Sequence, residues 1–77
     1  MTDLEYVITA LKNLGGEASL TDIYKEYGKL SGVPLTDSKK ASIRRTIQSH
    51  SSDTKSFKGY NIFYSVEGRY KGTWGLR

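Results

Sequence analysis

Apolar residues recur at helical spacing as far as His50, and beyond Ser51 the spacing shortens toward two. That change of period limits the architectures open to the chain, because one side-chain pattern cannot serve both a helix and a strand. Leu4, Val7, Ile8, Leu11 and Leu14 form a first stripe and predict a helix over about 3–14. Thr2 and Glu5 have the spacing of a capping box, and Gly15-Gly16 ends the stripe. Glu17-Ala18-Ser19-Leu20 is a short extended piece. Leu20, Ile23, Tyr24, Tyr27 and Leu30 make a second stripe over about 20–31, with Ser19 or Thr21 as its cap. Gly32-Val33-Pro34-Leu35 breaks it, since a residue before proline is pushed out of helical geometry. A third helix starts at Thr36 or Asp37 and runs to about His50.

Ser51-Ser52-Asp53-Thr54 is turn chemistry. Ile62, Tyr64 and Val66 then alternate with Asn61, Phe63 and Ser65, and periodicity alone leaves open which set faces inward. Glu67-Gly68-Arg69-Tyr70-Lys71-Gly72 is a glycine-bracketed loop, and Trp74 and Leu76 alternate on a returning strand. The order helix, extended piece, helix, helix, strand, strand is α+β. Three helices followed by a β-hairpin wing is the layout of a winged helix-turn-helix, here one domain over 1–77. The hairpin covers the apolar edges that short helices leave open, with Trp74 and Leu76 as core, and frees the third helix for a groove.

The chain has no Cys and one His, so disulfides, thiolate zinc sites and histidine metal clusters are not available. No cofactor is expected, and six Tyr, two Phe and one Trp must carry much of the core. No apolar run approaches the roughly 20 residues that span a bilayer, and the N-terminus lacks the apolar centre of a signal peptide. The expectation is a soluble cytoplasmic or nucleoid-associated protein without a membrane partner.

Charge is divided along the chain. Residues 1–35 balance at −2 and residues 36–77 at +6, and a sided basic surface suits nucleic acid. The third helix, TDSKKASIRRTIQS, concentrates the cations. At about 100° per residue, Ile43 and Ile47 share a narrow apolar edge. Ser38, Ala41, Ser42, Arg45, Gln48 and Ser49 fall on the opposite side, with Lys40 and Arg44 on a flank. Small residues permit close approach to a duplex, while Arg45 can fork onto guanine and Gln48 onto adenine in the major groove. Lys39 and Lys40, near the helix start, suit phosphate, where the helix dipole also favours an anion.

Ser38, Ser42 and Ser49 can bond phosphate or base, yet serine on an exposed helix face needs no function. Arg44 is equally placed to pair with an acid on the second helix. Arg69 and Lys71 in the wing can follow the minor groove or the backbone, and Tyr70 between them can stack on a ligand. Lys55 and Lys58 are weaker versions of these wing cations. Tyr60 and Tyr64 read as packing residues, and His50 as a cap or core-edge residue.

Taken together, LGGEASLTDIYKEY (14–27), ASIRRTIQSHSSD (41–53) and IFYSVEGRYKGTWGLR (62–77) resemble the winged-helix modules appended to modification-dependent restriction nucleases. The likeness covers nearly the whole chain. Its most specific pieces are Ser42-Ile43-Arg44-Arg45-Thr46-Ile47-Gln48 and Gly72-Thr73-Trp74-Gly75-Leu76-Arg77. It implies double-stranded DNA binding, with a modified base such as N6-methyladenine as the feature read. Ala41, with Tyr60 or Tyr70 from the hairpin, would then meet the methyl group. The resemblance also implies a nuclease domain or subunit as a partner, because some such modules are fused to HNH or other nuclease domains.

Three other classes are weighed against this one. There is no paired nucleophile and base, no Gly-rich phosphate cradle and no metal-ligand spacing, so catalysis by this chain alone is not expected. Glu5, Glu17, Glu26 and Glu67 lie on separate elements. A protein-interaction or dimerisation module on a winged-helix scaffold is the main alternative to DNA binding, although the third helix of such modules is typically less basic. RNA binding ranks below both, because the sequence shows no evident exposed aromatic pair of the kind that stacks unpaired bases.

Overall fold

The computed structural model describes residues 2–66 and 72–77, and every helix in it starts on a hydroxyl side chain. Thr2 caps α1 (Asp3–Asn13): its Oγ1 accepts from the Glu5 backbone N–H at 3.2 Å, while the Glu5 carboxylate accepts from the Thr2 N–H at 3.0 Å. Ser19 caps α2 (Leu20–Ser31) and Thr36 caps α3 (Asp37–Ser49), each accepting at 3.2 Å from the N–H three residues on. Caps of this kind satisfy donors that the first helical turn leaves open, and each is worth about 1 kcal/mol. Gly32 ends α2 at φ 69°, its N–H bonded to the Gly28 carbonyl. A side chain at that left-handed position would be strained.

Three short strands form one antiparallel sheet in the order β1 (Glu17–Ser19), β3 (Thr73–Leu76), β2 (Phe63–Ser65). The sequence suggested a two-stranded hairpin beside an isolated extended piece. Instead the piece pairs with β3, setting Ala18 opposite Trp74, and β3 becomes the central strand. The Leu20 N–H bonds the Gly72 carbonyl and the Leu76 N–H bonds the Gly16 carbonyl, both at 2.8 Å, so the pairing extends past both ends of β1. On β2, Phe63 is fully buried and Tyr64 lies on the outer face opposite Gly75, which answers the question of phase that alternation left open.

The core gathers Val7, Ala10 and Leu11 from α1, Ile23 and Tyr27 from α2, Ile43 and Ile47 from α3, and Phe63 and Trp74 from the sheet. Trp74 is 4% exposed, so it seals the helices as its position suggested. The fold is thus α+β, with three helices against a three-stranded antiparallel sheet among the described residues. None of its described helices is long and apolar enough to cross a membrane.

The segment from α3 to β2 folds back on the end of α3. The His50 carbonyl accepts from the N–H groups of Ile62 and Phe63 at 2.7 and 3.0 Å, and the Ser49 carbonyl accepts from the Lys58 N–H at 2.7 Å. Thr54 Oγ1 donates to the Gln48 carbonyl at 2.6 Å. The carbonyls of Gln48, Ser49 and the cap residue His50, which the helix leaves open at its end, are thereby satisfied by the loop.

Candidate nucleic-acid interface

Ile43 and Ile47 set the rotation of α3 by pointing into the core, and the remaining residues divide into two flanks and a crest. One flank faces α1. There Asp3 accepts from Lys39 Nζ at 2.8 Å, from the Tyr27 hydroxyl at 2.6 Å and from Ser42 Oγ at 3.0 Å. These bonds, the one from Lys39 foremost and then that from Tyr27, bring the Asp3 carboxyl from an ordinary 3.8 down to about 2. The bond to Asp3 in turn raises the Lys39 ammonium, while burial and then Asp3 raise the Tyr27 phenol. Lys39 Nζ also lies 5.1 Å from the centre of the Tyr27 ring, an additional cation–π contact.

Ser42 therefore sits half-buried against α1, off the exposed side where helical spacing alone put it. Lys39 likewise spends its charge inside the molecule. The reason is tertiary: Ser42 lies a quarter-turn back from Ile43, and α1 covers that flank. Ser49 also turns its hydroxyl inward, donating to the Thr46 carbonyl at 3.1 Å. Beside it His50, the C-cap of α3, donates from Nδ1 to the same carbonyl at 2.8 Å.

The second flank faces α2. Lys40 Nζ stands 5.6 Å from the centre of the Tyr24 ring, and Arg44 Nη1 donates to the Tyr24 hydroxyl at 3.0 Å. Arg44 thus meets a tyrosine of the second helix where an acid was the alternative. Neither cation has a carboxylate partner among the described residues, where the ion pairs are Lys39–Asp3 and Arg77–Asp53. A hollow of about 400 Å³, lined by Thr21, Tyr24, Lys25, Gly28, Leu35 and Lys40, adds a further lysine to this side. One turn beyond Arg44, Gln48 borders a cleft of about 210 Å³ with Leu20, Gly72 and Trp74.

On the crest, Ser38 and Arg45 are exposed and Ala41 is half-buried. The Arg45 side chain makes no hydrogen bond or ion pair with any described residue. Arg69, Tyr70 and Lys71 lie outside the described residues. The organising roles of Asp3 and Tyr24 were hidden in the sequence, where nothing singles out Asp3 and Tyr24 reads as part of an apolar stripe. Tyr60, which read as a packing residue, is 80% exposed.

Comparison of the chain with family models, with curated proteins and with solved structures finds no match.

Proposed function

We propose that this chain is a winged-helix module that binds double-stranded DNA with α3 in the major groove. The observation that carries this reading is the state of the α3 cations. Lys40, Arg44 and Arg45 have no carboxylate partner among the described residues, and Arg45 stands free on the crest. Cations kept on one face without acids suit a polyanion. The element order, with two strands following three helices, supports the winged-helix assignment. Arg45 reads a base edge, and Gln48 bonds adenine where the helix meets β3. Lys40 and Ser38 take phosphates, and Tyr24 holds Arg44 extended toward the same backbone. Lys39, Ser42 and Ser49 serve chiefly to orient the helix, and Arg69, Tyr70 and Lys71 extend the contact from the wing.

The same reading assigns a modified base to the cleft beside Gln48. Its Leu20 and Trp74 walls are apolar, and the Gln48 amide can bond an adenine edge whose N6-methyl turns toward them. A buried methyl contributes only about 0.8 kcal/mol, so a strong preference needs enclosure by several groups. Cleavage of such DNA would fall to a nuclease domain or subunit acting with this one. The exposed Leu30 and Val33 at the α2–α3 turn favour a second reading, a protein-docking or dimerisation module.

Fluorescence anisotropy with matched duplexes, with and without N6-methyladenine, separates these readings. Duplex binding that weakens steeply with salt and is competed by heparin supports the DNA reading, because phosphate contacts release counterions. No duplex binding at low salt refutes it. Equal affinities with and without the methyl group, across several sequence contexts, reject methyl reading and leave a plain duplex binder.

A further inference from the structure

We propose that the loop between α3 and β2 is a stacking platform for unpaired nucleotides, with Tyr60 and Phe57 under the bases and Lys55 and Lys58 on the phosphates. Tyr60 is 80% exposed and Phe57 38%, which supplies the solvent-facing aromatic pair that the sequence did not reveal. Their exposure does not come from a loose chain. The Lys58 N–H bonds the Ser49 carbonyl at 2.7 Å, and Asn61 Oδ1 accepts from the Ser52 N–H at 3.0 Å. The Ile62 N–H bonds the His50 carbonyl at 2.7 Å, and Gly59 makes the turn between the two rings at φ 79°. The backbone is tied to the protein on both sides of Tyr60, whose ring faces water, and Phe57 keeps part of its ring exposed beside it in sequence.

The charge of the loop selects the ligand. Lys55 and Lys58 are exposed and form no ion pair among the described residues. The sequence has no acid from Thr54 to Val66. Asp53, just before, is taken by the Ser65 N–H at 2.7 Å and by Arg77. Exposed aromatics alternating with unpaired lysines fit a nucleic-acid strand, where rings stack on bases and cations follow the backbone. The strand must be unpaired, because a base within a duplex offers only its edge while an unpaired one offers its face. The Lys58–Ser49 bond also puts the loop at the C-terminal end of α3. In that location alone the inference rests on the duplex reading: a strand leaving the duplex at this end meets the platform.

The test uses three labelled probes: a blunt duplex, the same duplex with a single-stranded thymidine tail of about six nucleotides, and the tail strand alone. For the parent, the tailed duplex should bind about tenfold more tightly than the blunt one, the scale of one stacked base. The double variant Phe57→Ser, Tyr60→Ser should bind both equally, with the blunt affinity of the parent and a cooperative melt that shows it folded, and Tyr60→Phe should keep the tail preference. Equal binding of both probes by the parent overturns the proposal, as does an equal loss on both in the double variant. Self-association of the parent that the double variant abolishes also overturns it, making the pair an interface between copies. If the blunt duplex is not bound while the tail alone binds through Tyr60, the duplex reading fails and the platform stands.

Discussion

Replacing Asp3 by Ala removes one carboxylate and strands three donors on two other helices. Tyr27 is 1% exposed, so its hydroxyl loses an acceptor at 2.6 Å where water has little access. A hydrogen bond to a charged acceptor is worth about 1.5–3 kcal/mol. The Lys39–Asp3 pair contributes less, because its side chains are 24% and 34% exposed and solvent screens it. About 0.5–1 kcal/mol is a fair share for it. Ser42 is half-buried, and water can replace part of its bond. The expected loss is about 2–4 kcal/mol, or a fall in thermal midpoint of about 10–25 °C for a domain of this size.

Part of that loss carries a pH signature. Asp3 titrates near 2 when folded, against an ordinary 3.8. A depressed carboxyl stabilises the fold fully above its ordinary value, and the contribution fades as pH falls toward the folded value. Thermal melts followed by circular dichroism at pH 7 and pH 2 should therefore show a wide gap between parent and Asp3→Ala at neutral pH and a narrower one in acid. Asp3→Asn keeps one acceptor and should fall between them. A gap under about 4 °C at pH 7, or one of the same size at pH 2, would refute the claim that a charged Asp3 ties the three helices together.

Arg45→Ala should weaken binding to a preferred duplex by about 1–3 kcal/mol and relax preference at one base, with no change in melting; binding every sequence as the parent does would remove Arg45 as a base reader. Replacing Lys40 and Arg44 together by Ala should lower the salt slope of duplex binding by about two units, whereas Lys39→Ala should mainly lower the thermal midpoint. An unchanged slope in the double variant would put the DNA on another face. Trp74→Ala should cost about 3–5 kcal/mol, read by urea denaturation, and a parent-like midpoint would contradict its burial. A Cβ at Gly75 would run into the Tyr64 ring, which bonds the Glu17 carboxylate and lies 5.7 Å from the Arg77 guanidinium. Gly75→Ala should therefore destabilise by about 1–2 kcal/mol, with most of that loss absent in a Tyr64→Ala background; additive effects would mean that the ring is not the obstacle.

Local signals were enough for the caps, the helix breaks and most of the apolar stripes, although Leu30 of the second stripe is exposed. Thr2, Ser19 and Thr36 act on N–H groups three residues away, and Gly32 acts within one turn, so their effect is written in adjacent residues. The burial of Ile43, Ile47 and Trp74 follows from periodicity, because the rotation of a helix or strand is set by its own apolar positions. Those residues do not say which neighbour closes each flank. Lys39 and Ser42 turn inward because α1 crosses that side of α3 with Asp3 at its first residue, and Lys40 and Arg44 rest on α2 because Tyr24 is there. Glu17–Ser19 becomes a strand because Thr73–Leu76 returns beside it from the other end of the chain. Tyr60 is left in water because the bonds of its loop to the end of α3 hold the backbone there and bring no apolar neighbour over the ring. In each case the deciding partner is distant in sequence, and a charge or ring acquires its role only when packing chooses what stands opposite it.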